Sequence, residues 1–281
     1  PELFKILQGV IELDEDEQKE LSGILEYSSL SNITRTIKLL CDRQKVIQTL
    51  KEIVFNKEFN SYEVKHVQEL VEKHYWIFGE QYNLITSAEP DFELALKGMI
   101  KAEMGIEEEV HIEHPDKNKE MDLYMIRQDR QGRVTENVVV ELKRPKIKLG
   151  EKELSQVKKY MRVIKNTPRF NAGNVKWTFY LVGNEFDKSL YIPGELESHK
   201  FLGEQHLVHC QDNGLTKIYV LKWSEIFDDY SKRHDFLMEH LKLEEKLWLE
   251  THESADDAVT AVENNSATLP EAIIPKNQKV V

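Results

Sequence analysis

Val138-Val139-Val140-Glu141-Leu142-Lys143-Arg144-Pro145, VVVELKRP, is the stretch from which the rest of the chain can be read. A run of β-branched residues predicts a buried strand. Positions i and i+2 of a strand share a face, so Glu141 and Lys143 project from one side and Leu142 packs on the other. Opposite charges at the end of an apolar strand are costly unless something uses them. Taken alone, the pair also reads as a plain ion pair at a strand end. Upstream, MDLYMIR (121–127) predicts a second strand, and the polar QDRQGRV between the two predicts a hairpin loop around Gly132. A turn at Gln131-Gly132 sets position i opposite 263 − i, which places Asp122 opposite Glu141. Facing carboxylates repel and raise each other's proton affinity. A divalent cation relieves that repulsion, and Mg²⁺ typically takes one or two protein carboxylates, with water filling its other positions.

Downstream, a helix is predicted from about Glu151 to Asn166. Leu154, Val157, Met161 and Ile164 form its buried stripe, while Gln156 and Tyr160 lie one turn apart on the same side. Charge is unevenly distributed. The chain carries a net −12, yet from Glu141 to Phe170 ten Lys and Arg stand against three Glu. A basic stripe on an acidic protein is a local footprint for a polyanion, and the remaining surface repels one.

The other segments bound the organisation. Residues 1–60 read as a helical N-terminal region: Leu3, Phe4, Ile6 and Leu7 open an amphipathic pattern, a helix follows from about Glu17 to Tyr27, and Ser31 or Asn32 caps a third. Residues 61–250 hold the strands. They begin with a helix from Asn60-Ser61 that runs into Trp76, Ile77 and Phe78, and they close with a helix capped by Ser224 and extending to about Glu250. EVHIEH (109–114) alternates like a strand, and so do residues 175–183, 206–210 and 216–223. Residues 251–281 lack periodicity and read as a disordered tail with a small apolar patch at Ala272, Ile273 and Ile274. At 40% hydrophobic and 31% charged, the composition is that of a globular protein. No apolar run approaches the roughly 18 residues of a membrane span. Two cysteines and no signal peptide suggest a reducing cytoplasm and no disulfide framework. Pro1 in place of an initiator Met reads as a piece of a longer protein. His206, His209 and Cys210 do not make a zinc site, since the two histidines point to opposite faces of a strand and no CxxC accompanies them. No Walker A, dinucleotide-binding or nucleophile-elbow motif is present.

Asp122, then Glu141-Leu142-Lys143, then Gln156 and Tyr160 on the following helix resembles the PD-(D/E)XK nuclease superfamily, although Met121 stands where that pattern has proline. HVQELVEKHYWIFGEQYNLI (66–85), MDLYMIR, VVVELKRP and ELSQVKKYM together resemble the Shedu anti-phage defence nucleases over roughly residues 30–245. The resemblance implies an α/β fold whose restriction-endonuclease-like core is a central mixed sheet flanked by helices, with the helical region in front of it. It also implies a metal-dependent endonuclease acting on phage or other foreign double-stranded DNA as a homo-oligomer, a tetramer. Asp122, Glu141 and the Leu142 carbonyl would hold Mg²⁺, with Mn²⁺ able to substitute. Lys143 would orient water or stabilise charge on the phosphate, Gln156 would help position the site, and Glu80 or Glu93 would add a metal contact. Arg144, Lys146, Lys158, Lys159 and Arg162 would contact phosphates, which positions a duplex without reading its sequence. The alternative is a catalytically silent module that keeps the fold as a DNA-binding or oligomeric scaffold.

Overall fold

The hairpin expected around Gly132 forms the middle of a six-stranded mixed sheet. The computed structural model describes residues 12–56, 64–87, 91–104, 109–115, 121–129, 131, 133–171, 175–241, 259–260 and 262. Its strands are β1 (Asn83–Ser87), β2 (Leu123–Gln128), β3 (Val134–Leu142), β4 (Lys148–Leu149), β5 (Lys176–Gly183), β6 (Glu185–Phe186), β7 (Leu207–Gln211) and β8 (Thr216–Lys222). The main sheet runs β1-β2-β3-β5-β8-β7, and β4 pairs with β6 in a separate two-stranded ribbon. β3, β5 and β8 are parallel, while β1, β2 and β7 pair antiparallel to their neighbours.

Helices are α1 (Glu15–Tyr27), α2 (Leu30–Phe55), α3 (Val64–Lys73), α4 (Phe92–Met104), α5 (Glu151–Lys165), α6 (Tyr191–His199) and α7 (Trp223–Leu241). Strand parity sorts them into two layers. Tyr124, Ile126, Val139, Phe179 and Leu181 share a core with residues of α4, α5 and α6. Leu123, Met125, Val138, Val140 and Leu142 point the other way and share a second core with α2, α3 and α7. A sheet covered on both faces needs strands apolar on both faces, which is why VVV runs unbroken up to Glu141.

The register about the hairpin follows the 263 − i rule from Leu123↔Val140 to Arg127↔Glu136, then slips by one residue at Gln128↔Val134. Asp129 holds the turn, its Oδ1 accepting from the N–H groups of Gln131 (2.8 Å) and Arg133 (3.0 Å). Those donors and the Arg133 guanidinium hold the Asp129 carboxyl below its usual range, the Arg133 N–H having the largest effect. The slip stays beside the turn and never reaches the Asp122 end.

Several expectations are corrected. Residues 109–114 form no strand: Ile112 is buried, and its N–H donates to Glu93 Oε1 (2.9 Å) rather than to a ladder. The place beside β2 belongs to β1, which the sequence pattern did not reveal. Asp14, in a reciprocal cap with Glu17, starts α1, and Ser29 caps α2, earlier than Ser31 or Asn32. Ser224 lies inside α7, whose start is tied down by Glu225 accepting from the Lys222 N–H (2.7 Å). In the expected tail, Val259 and Val262 are buried against the second core; the Ala272–Ile274 patch lies outside the described residues, as do the Leu3–Leu7 pattern, the Asn60-Ser61 helix start and residues 242–250. Val46, Ile47, Leu50 and Ile53 of α2 share the second core with β3. The two cysteines are free. No helix among the described residues is long and apolar enough to cross a membrane.

Packing of α2 on the sheet makes a testable difference along one helical region. Leu50→Ala should cost about 2–5 kcal/mol in urea unfolding and lower the midpoints of near- and far-ultraviolet signals together. Leu25→Ala, on α1 where no residue is buried, should stay within about 0.5 kcal/mol of the parent.

Candidate active site

Glu141 ends β3 on the face covered by α5, and the chain returns immediately through that helix to the parallel strand β5. Lys143 N–H donates to Val182 O (2.8 Å), which continues the ladder one residue past the strand and keeps Lys143 on the Glu141 side. Gly150 begins α5 with its N–H bonded to Glu153 Oε2 (3.1 Å). A Cβ at Gly150 would lie 2.2 Å from Asp187 Oδ2, so a side chain there would displace the Asp187 carboxylate. The predicted stripe of Leu154, Val157, Met161 and Ile164 is buried, together with Tyr160 and Val163.

These constraints converge on the Glu141 carboxylate, in a residue only 5% exposed. Lys143 Nζ donates to Oε1 at 2.5 Å, and Gln156 Nε2 donates to the same oxygen at 2.8 Å. Tyr160 OH donates to Oε2 at 2.8 Å. Gln156 also links the donors, its Oε1 accepting from Lys143 Nζ (2.8 Å) and its Nε2 lying 2.6 Å from Tyr160 OH. Burial, and after it the charge of Glu141, pushes the Tyr160 phenol above the usual tyrosine range, so it remains a donor. Asp122, 8% exposed, sits just before β2, and its Oδ2 accepts the Leu142 N–H at 2.5 Å. That bond brings the start of β2 against the end of β3, the corner where the hairpin register sets Asp122 opposite Glu141.

Residues 97–180 match the family model described as the type I restriction enzyme R protein N terminus. The matched stretch contains Asp122, Glu141, Lys143, Gln156 and Tyr160. Comparisons with curated proteins and with solved structures give no match.

The other expected site residues separate into groups. Glu80 does not join the carboxylates. Its two oxygens accept from Arg43 Nη1 (2.6 Å) and Nη2 (2.8 Å), and the Arg43 guanidinium lies 4.8 Å from the Trp76 ring centre. β1 explains the distance: Asn83 pairs with Ile126 and Ser87 with Leu123, so Glu80 leads in at the end of β2 remote from Asp122. The four residues from Ile126 to Asp122 alone span about 13 Å of strand. Glu93 lies on α4, where neighbouring Phe92 packs edge-on against Tyr160 with ring centres 5.6 Å apart. Its Oε1, however, serves the Ile112 N–H and lies 3.3 Å from His111 Nδ1. Arg144, Lys146, Lys159 and Arg162 are exposed beside the site or on the outer side of α5. Lys158 is drawn toward α6, 3.7 Å from Glu195 and over the Tyr191 ring.

Tyr160 is the residue whose role the sequence reading left blank. Its position one turn after Gln156 was the available signal, and the hydroxyl's partner depended on how close α5 approaches β3. Among the described residues no three His, Cys, Asp or Glu side chains converge as a metal cluster. Asp122 and Glu141 are the carboxylates of this corner that could hold a hard cation. Two carboxylates against the Lys143 ammonium leave an excess negative charge, and oxygen-only donors suit Mg²⁺ or Mn²⁺, so the residues fit such an ion.

Tyr160→Phe leaves Glu141 Oε2 without its phenol donor and should cost about 1–3 kcal/mol at neutral pH by urea unfolding. A phenol whose folded pKa is raised contributes fully below its unfolded value of 10.0, and the contribution is lost as pH rises above that. The stability gap between parent and Tyr160→Phe should accordingly narrow above pH 10.

Proposed function

We propose that this chain is a metal-dependent DNA endonuclease of the PD-(D/E)XK type, similar to the Shedu nucleases, that hydrolyses phosphodiester bonds in double-stranded phage or plasmid DNA. Glu141 carries the reading: a buried carboxylate opposite Asp122, held by Lys143, Gln156 and Tyr160, within a stretch similar to part of a restriction enzyme. The restriction-enzyme likeness supports DNA as substrate. Action in a cytoplasmic homotetramer follows from the Shedu resemblance and is part of the proposal.

Asp122 and Glu141 would hold Mg²⁺ or Mn²⁺, which when bound supplies Lewis-acid chemistry, neutralising charge at the scissile phosphate and acidifying water. The chain's own groups do the remaining work. With Glu141 engaged in holding the ion, the Lys143 ammonium would move from Glu141 Oε1 to the attacking water or a phosphate oxygen. Gln156 limits that movement, since its Oε1 holds Lys143 while its Nε2 holds Glu141. Tyr160 keeps Glu141 oriented throughout. Water oxygen bonds to phosphorus and gives up a proton to solvent, the bond to one sugar oxygen breaks, and the leaving oxygen takes a proton from solvent. Arg144, Lys146, Lys159 and Arg162 supply the phosphate contacts, and Lys158, engaged by Glu195, contributes less.

A catalytically silent DNA-binding or scaffold module is the second reading, favoured by the fact that both Glu141 oxygens already have donors. Supercoiled plasmid incubated with Mg²⁺ or Mn²⁺ separates the two. Nicked product is expected, with Glu141→Ala and Lys143→Ala each slowing its formation by at least about 10²-fold. Glu80→Gln should cleave like the parent. No nicking with either metal would leave the silent module. Arg144→Ala and Arg162→Ala should each lower the salt-dependence slope of DNA binding by about 0.9, the loss of one phosphate contact.

A further inference from the structure

On the sheet face away from Glu141, between β5, β8 and α7, lies an open cleft of about 450 Å³. That volume is within the range of sites that take small organic groups. Its floor is aromatic. Phe78 and Tyr180 are nearly parallel with ring centres 6.0 Å apart, and Tyr219 continues the row 5.6 Å from Tyr180. The rings are anchored from behind: Tyr219 OH donates to Glu204, and Tyr180 is hydrogen-bonded to Tyr82. Burial first, with carboxylate neighbours adding to it, keeps both hydroxyls protonated well above the usual tyrosine range, so the rings present uncharged faces.

The wall opposite is acidic. Asp228 and Asp229 line the cleft from α7, and Glu225 stands one turn earlier. Glu225 is engaged by the Lys222 N–H and His206, and one Asp229 oxygen meets Arg233 at 3.0 Å. Asp228 has no hydrogen-bond or ion-pair partner among the described residues. Lys232 is the lysine of the lining, and it makes no ion pair there among the described residues. Carboxylates above aromatic faces repel phosphate and attract an organic cation.

We propose that this cleft receives an arginine side chain from a partner polypeptide. Arginine fits better than lysine because a planar guanidinium can lie on a ring while its edge forks onto a carboxylate. The fold already contains that arrangement beside the cleft. Arg43 lies over Trp76 and is bidentate to Glu80, and the same short turn supplies Ile77 and Phe78 to the cleft. Tyr180 and Tyr219 with Asp228 offer a second such ring-and-carboxylate pair, while the Arg233 guanidinium already meets Asp229 through Nε and donates from Nη2 to Ile77 O (3.2 Å) at the edge of the cleft. The site is separate from the proposed nuclease centre and stands without it.

A fluorescein-labelled Gly-Arg-Gly-Arg-Gly peptide, followed by anisotropy against the full chain, tests the assignment, with the lysine counterpart peptide and spermidine as competitors. Saturable binding is expected, with both competitors weaker than unlabelled arginine peptide. Asp228→Asn/Asp229→Asn, exposed positions that should leave the thermal midpoint unchanged, should weaken the arginine peptide by about fivefold or more. Asp228→Lys/Asp229→Lys should abolish binding while plasmid nicking persists. Absence of saturable binding, equal competition by spermidine, or indifference to both double variants would overturn the proposal.

Discussion

A buried carboxylate is the constraint on which the rest of this structure depends. Removing the Glu141 charge from water costs several kcal/mol unless close donors repay it. Each donor comes from a different structural decision. Lys143 is present because strand parity returns to the same face after two residues. Gln156 and Tyr160 are present because α5 folds back onto that face and places two residues one turn apart against it. Shifting the helix by one residue would swing both side chains away by about 100°, leaving the carboxylate with an ammonium alone. The three donors therefore lock the β3-α5-β5 crossover as much as the crossover positions them.

Lys143 on Glu141 is a closed ion pair, the plain reading of VVVELKRP, and in this structure that reading is literally present at 2.5 Å. Asp122 opposite it supplies the second negative charge that an ion pair does not need. A purely structural pair would be complete without Asp122, Gln156 and Tyr160, and the surplus is the chemical reason to look for a cation and a substrate there.

Helices α5 and α7, on opposite faces of the sheet, carry opposite net charge. The basic stripe follows β3 onto α5, on the side of Glu141, while Asp228 and Asp229 gather on α7 behind the sheet. Alternation along the strands makes this possible, because neighbouring residues face different layers and the two surfaces can carry opposite charge within one small domain.

VVVELKRP, the hairpin register and the amphipathic stripe of α5 were legible because each rests on local periodicity, which a sequence displays directly. Leucine and valine spacing determined which side of α5 is buried, and the polar loop around Gly132 determined that Asp122 would approach Glu141. What local pattern cannot carry is a choice between equivalent partners. EVHIEH (109–114) alternates like a strand, yet packing gave the edge of β2 to NLITS (83–87), with Glu93 satisfying the Ile112 N–H instead. Glu80 and Glu93 were both carboxylates within reach of a helix; β1 running antiparallel to β2 carried Glu80 to the far end, where Arg43 holds it. Tyr160 could be placed on a face but not against an atom. Periodicity determines which way a side chain points, and tertiary packing alone decides what it meets, because that depends on how closely separate elements approach.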